Sequence, residues 1–221
     1  MGKFIEIVTG LHKSTARNCL ARMNDDKVHC MHKAKEYETD YWDGDRRYGY
    51  GGYKYIPGRW KEAAKKIIKT YNLKPGSSVI DIGCGKGFLL HEMILIQPKL
   101  LVSGFDISKY ALMNAKKEVK NKLFIHDACK KTNFKNKKFD LAISLGTLHN
   151  LKLKNLFSAL KEIKRKRKKN YIVVESYRNN KELFNLECWA LTAETIMDTE
   201  SWKWILKKSG YLGDYEFIYF N

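Results

Sequence analysis

A chain of 221 residues, 44% of them hydrophobic, can bury one sizeable core but hardly two, so a single domain is expected. No apolar run reaches the roughly 18–20 residues that cross a bilayer, and MGKFIEIVTGLHK lacks the apolar stretch of a secretory leader, so a cytoplasmic protein without a membrane partner is expected. The formal charge of +18 raises nucleic acid as a partner, but it is carried by 34 lysines against 8 arginines in runs at 116–138 and 161–170, and a solvated lysine-rich surface is the simpler reading.

The first forty residues read as helical with polar gaps. Their histidines and cysteine in VHCMHKAKEY (His29, Cys30, His32) are too closely spaced to share one helix face, so no metal is expected. The five cysteines are scattered with no Cys-x-x-Cys pair, which argues against a disulfide framework. Residues 40–58 set Tyr41, Trp42, Tyr48, Tyr50, Tyr53 and Tyr55 among five glycines. That mixture is too aromatic for a linker and too glycine-rich for a strand, and it reads as a lid, mobile when empty. Arg46, Arg47 or Arg59 would then receive an anionic group, although the same composition also suits stacking of single-stranded bases.

From Pro57-Gly58 an amphipathic helix follows, RWKEAAKKIIKTYNL. The pattern then alternates: strand SSVIDIG, helix KGFLLHEMILIQ, strand LVSGFDI, helix SKYALMNAKKEVKN, strands LFIHDA and FDLAISLG, helix LKNLFSALKEIKRK, strand YIVVES. Strands alternating with helices at this spacing predict a doubly wound, mostly parallel α/β sheet joined by right-handed crossovers. Residues 1–57 form its helical and aromatic-loop extension and residues 58–221 its Rossmann-like core.

Three glycines, Gly83, Gly85 and Gly87, fall at the first strand-to-helix turn, where backbone without Cβ lets a ligand approach closely. Asp81 ends that strand, Asp106 closes the second and Asp127 the third. The Gly-x-Gly-x-x-Gly spacing of dinucleotide enzymes is not met, since the third glycine comes one residue early. This set resembles the class I S-adenosylmethionine-dependent methyltransferases: Asp81-Ile82-Gly83-Cys84-Gly85-Lys86-Gly87 matches the first motif, Asp106 the ribose-holding acid, Asp127 the acid near the adenine, and FDLAISLGTLHNL the fourth-strand motif. The resemblance implies S-adenosylmethionine as cofactor, S-adenosylhomocysteine as product, and cofactor contacts from those residues with Ile107, Ala128 and Ser144. Cys84, between two glycines, reads as filler rather than nucleophile.

Ligands of such sheets lie outside the carboxyl ends of the strands, which makes His149 and Glu175 the candidate catalytic pair and Tyr50, Tyr53, Arg59 and Arg178 candidate acceptor contacts. His149 reads equally as a general base and as a residue starting the next helix. The segments SLGTLHNL, VVESYRN and CWALTAETIMDTESWKWILKKSGYLGDYEF resemble small methyltransferases of bacterial surface-polysaccharide gene clusters. That resemblance implies a small-molecule acceptor, such as a capsule precursor or a phosphoramidate methylated on oxygen. An RNA methyltransferase and a non-catalytic cofactor-binding protein remain the alternatives.

Overall fold

The computed structural model describes residues 2–15, 17–135 and 138–221, without the side chains of residues 166–168. Parts of both basic runs therefore lie outside the described residues. The N-terminal stretch forms short helices α1 (Thr9–Lys13), α2 (Cys19–Met23), α3 (Lys27–Ala34) and α4 (Thr39–Trp42), and a 3-10 turn, Arg46–Tyr48. Cys30 of α3 is buried while His29 and His32 are exposed, so the three diverge.

The core runs α5 (Lys61–Thr70), β1 (Ser78–Ile82), α6 (Phe88–Ile96), β2 (Leu101–Asp106), α7 (Lys109–Met113), α8 (Lys117–Lys120), β3 (Leu123–Ile125), β4 (Phe139–Leu145), α9 (Leu153–Lys166), β5 (Arg167–Glu175), α10 (Asn180–Trp189), α11 (Thr199–Lys208) and β6 (Asp214–Ile218). The six strands make one sheet in the order β3-β2-β1-β4-β5-β6, with every adjacent pair parallel. The order reverses between β1 and β4, which opens the crevice where ligands of such sheets bind.

Both sheet faces are covered, which is why the central strands read as unbroken apolar runs. Ala63, Ala64 and Ile67 of α5 and Leu90 and Met93 of α6 pack on one face against Val79, Leu141 and Val173. Leu156, Ala159, Leu160 and Ile163 of α9, spaced on one helical stripe, pack on the other with Trp202 and Leu206 of α11. Buried apolar area of this kind supplies roughly 25 cal/mol per Å² toward holding the layers together.

Three expectations are corrected. The single helix expected over 108–121 is two, because Lys116 turns extended and its N–H donates to the Lys86 carbonyl at 3.3 Å, tying the break to the glycine turn. The second basic run is not one helical surface, since β5 begins at Arg167 and pairs Lys169 with Leu141. A sixth strand, β6, lies beside β5 with its outer edge covered by the N-terminal segment. The covering is secured by Glu216, whose buried carboxylate accepts the N–H groups of Ile7 (2.7 Å), Val8 (3.0 Å) and Thr9 (2.6 Å).

Candidate functional site

The first half of the site is the turn after β1. Gly83, Gly85 and Gly87 all have positive φ, at +77°, +52° and +69°. The Asp106 carboxylate pins the turn, accepting from the Gly85 N–H at 2.8 Å and from the Ser108 N–H at 2.9 Å. Asp81 is 4% exposed, and its Oδ1 has no hydrogen-bond partner among the described residues. Burial, with Asp106 adding repulsion, pushes its carboxyl up to about 8. An orphaned buried carboxylate asks for a cationic partner, and Ile107 presents an exposed apolar side chain beside Asp106. A ligand joining a cation, a ribose diol and a flat ring fits that donor and acceptor set.

Not every expected contact faces this turn. Ser144 is fully buried and its hydroxyl donates to the Ile82 carbonyl at 3.0 Å, so it braces β4 on β1 rather than meeting a ligand. Cys84 packs against Gly104, where an added Cβ would fall 2.9 Å from its sulfur, and burial pushes its thiol up. Asp127 accepts from the Cys129 N–H at 2.8 Å in the turn after β3, and Ala128 packs against the α9-side core.

The aromatic segment lies directly over the turn. A Cβ at Gly85 would sit 2.8 Å from the Trp42 ring, so only glycine lets that ring settle there. Trp42 stacks on Tyr50 (5.3 Å, 13°), Tyr50 meets Tyr53 at 4.4 Å, and Tyr53 stacks on Phe88 at 5.0 Å. The Trp42 indole N–H donates to the Ser108 hydroxyl at 2.9 Å. Asp43 takes the buried Lys86 ammonium at 2.6 Å, the Tyr110 hydroxyl at 2.8 Å and the Tyr53 N–H at 3.0 Å. The segment expected as a lid thus packs over the glycine turn through its rings and the Asp43–Lys86 pair.

Beside this cover, at the carboxyl ends of β4 and β5, opens a cavity of about 550 Å³. His149 and Glu175 both line it, as do Tyr50, Tyr53 and Arg59. His149 is 4% exposed; its Nδ1 accepts from the Glu175 N–H at 3.2 Å and its Nε2 faces the Glu175 carboxylate at 3.4 Å. Nδ1 is thus occupied by the Glu175 main chain, and of the pair the Glu175 side chain is the more exposed, at 22% against 6%.

Arg178 and Arg47 are also corrected. Arg178 forks onto Glu182 and covers the Tyr219 ring, and it does not line the cavity. Arg47 is paired with Asp25 at 2.6 Å. In their place stand Arg17 and Arg22, which sequence reasoning missed; together with Arg46 and Arg59 they line the cavity. No group of metal ligands occurs among the described residues, and no helix there is long and apolar enough to cross a membrane.

Comparisons with known proteins bear on this geometry. A family model described as "Methyltransferase domain" matches residues 73–210, more than half of the chain. The chain is 31% identical over 104 residues to the ribosomal RNA small subunit methyltransferase C of Buchnera aphidicola, covering 46% of this chain and 31% of that protein. It is likewise 31% identical over 102 residues to a tRNA U34 carboxymethyltransferase of Nautilia profundicola, covering 43% and 33%. The chain thus spans about a third of the length of these curated relatives. Among solved structures, a SAM dependent methyltransferase from Archaeoglobus fulgidus aligns with TM-score 0.52 and 25% identity over 68% of each chain.

Proposed function

Because this chain belongs to the class I S-adenosylmethionine-dependent methyltransferases, we propose that it methylates a small acceptor held in the cavity at the ends of β4 and β5. The observation that carries this reading is adjacency: the glycine turn with its orphaned Asp81 and the His149–Glu175 pair lie on the two sides of one aromatic cover. S-adenosylmethionine, when bound, supplies a methyl group already activated on a sulfonium. Asp106 and Asp127 would hold its ribose and adenine ends, and Asp81 its cationic end. Residues 1–57 serve as the cover of the 58–221 core within one domain.

In-line displacement depends on holding nucleophile and methyl group aligned and dry. Tyr50, Tyr53 and Phe88 wall the cavity with apolar surface and keep water from the reacting atoms. Glu175 accepts the proton of a hydroxyl acceptor as its oxygen gains the methyl group. His149 would act as a positioning residue: its Nδ1 accepts from the Glu175 N–H, and its Nε2 lies 3.4 Å from the Glu175 carboxylate. The acceptor's identity follows the sequence resemblance, a surface-polysaccharide precursor or phosphoramidate. An RNA acceptor is the competing reading, favoured by the two RNA-modifying relatives and by the aromatic wall, on which a flipped base could stack.

Incubation with methyl-labelled cofactor tests the two readings together. Label is expected in a small-molecule fraction of native extracts and not in RNA, with Glu175→Gln lowering turnover about 10²–10⁴-fold while cofactor affinity stays unchanged. Label in RNA alone would replace the small acceptor with RNA, and full turnover in Glu175→Gln would remove the base.

A further inference from the structure

The chain has 8 arginines among 42 basic residues, yet four of the eight line one cavity. Three of them gather on a single ring: the guanidinium carbons of Arg22, Arg46 and Arg17 lie 3.9, 4.9 and 5.4 Å from the centre of Trp189. Among the described residues, these three donate to main-chain carbonyls rather than to carboxylates. Arg17 reaches the carbonyls of His12 and Thr15, Arg22 those of Arg46 and Gly49, and Arg46 that of Gly49. The Arg17 Nε is buried with no partner among the described residues.

Like charges do not collect on one aromatic face for stability. Burial and the neighbouring Arg46 push the Arg22 guanidinium down to about 10, and burial likewise lowers Arg17 and Arg46. His12 is pushed down to about 4 by burial and by Arg17, so it stays neutral, and its Nδ1 accepts from Arg17 at 3.1 Å. It therefore orients that guanidinium without neutralising it. Glu175 is the one carboxylate among the described residues that line the cavity, and it belongs to the pair with His149.

We infer that Arg17, Arg22 and Arg46, gathered around Trp189, form an anion subsite that takes the phosphoryl group of a small phosphorylated acceptor. This rests on the proposed small acceptor at the ends of β4 and β5. Three guanidiniums offset one another's repulsion only against a group carrying more than one negative charge, and their planar forks match tetrahedral oxygens. The anion sits at the Trp189 side of the cavity and leaves the rest of the acceptor to extend toward Glu175. A polynucleotide offers one charge per phosphate and suits this cluster less well.

The test is titration of the full chain with inorganic phosphate and with a small alkyl phosphate, read by phosphorus NMR broadening and by tryptophan fluorescence. Saturable one-site binding is expected, weakened at least tenfold in Arg22→Gln and in Arg46→Gln, unchanged in Arg178→Gln, and absent for the unphosphorylated alcohol. Arg46 is more exposed than Arg22, so its variant keeps the test valid if Arg22→Gln fails to fold. Absence of saturable binding, equal affinity in the arginine variants, or displacement of phosphate only by single-stranded RNA would overturn the subsite. Cofactor affinity measured on the same samples separates the two ideas: phosphate binding without cofactor binding keeps the subsite and removes the proposed reaction, and the converse removes the subsite alone.

Discussion

Burial and the neighbouring Asp106 push the Asp81 carboxyl up to about 8, against about 3.8 in the unfolded chain. A carboxyl raised by folding is stabilised in its protonated form, so its contribution is full below pH 4, falls as pH rises, and is lost above pH 8. Asp81→Asn mimics the protonated acid; it is expected to raise Tm by several degrees at pH 9 and to change it little at pH 4. The same variant is expected to bind cofactor at least tenfold more weakly. Calorimetric scans at the two pH values check the first effect, and equal Tm shifts at both would mean that Asp81 ionises normally in the fold. At this scale the placement of a residue was most legible where a strand end fixes it, as for Asp81 and Asp106 beside the glycine turn and Glu175 in the cavity lining. It was least so where role depends on contacts across the chain. Nothing local to His149 reveals that the Glu175 main chain occupies its Nδ1. Arg17 and Arg22 were missed, although one signal was present: five of the eight arginines precede residue 60 in a chain otherwise rich in lysine.

At the scale of elements, the strands before residue 176 were legible because buried parallel strands are apolar runs closed by turns. β6 was not, because Asp214 and Glu216 break up its apolar residues, and the burial of Glu216 makes sense only once the N-terminal segment lies against it. The aromatic cover was legible as a lid, but not its closure, which depends on Trp42 reaching Gly85 and Asp43 reaching Lys86. That ion pair joins a buried ammonium to a partly buried carboxylate, whose pKa is lowered by the hydrogen bonds of Lys86 and Tyr110 against the opposing effect of burial. Removing one partner strands the other. Asp43→Ala is therefore expected to raise hydrogen exchange of residues 40–53 at least tenfold in the cofactor-free protein while leaving β1 and β4 protected. Unchanged exchange in that segment would mean that the stacked rings alone hold the cover.

For the whole molecule, the sheet sets the second basic run and the cavity at opposite ends of its strands. The second basic run spans the end of α9 and the start of β5, at the amino edge of the sheet, whereas the cavity opens at the carboxyl ends of β4 and β5. That run therefore lies away from the cavity, which four of the eight arginines line. The most direct measurement is calorimetric titration of S-adenosylmethionine and S-adenosylhomocysteine into the full chain at pH 7, repeated in buffers of different ionisation enthalpy. One site per chain is expected, with a proton released to the buffer as Asp81 ionises beside the cationic end of the ligand, and loss of about 1.5–3 kcal/mol of binding in Asp106→Ala. No saturable binding of either molecule, or full affinity in Asp106→Ala, would contradict the glycine turn as the cofactor site.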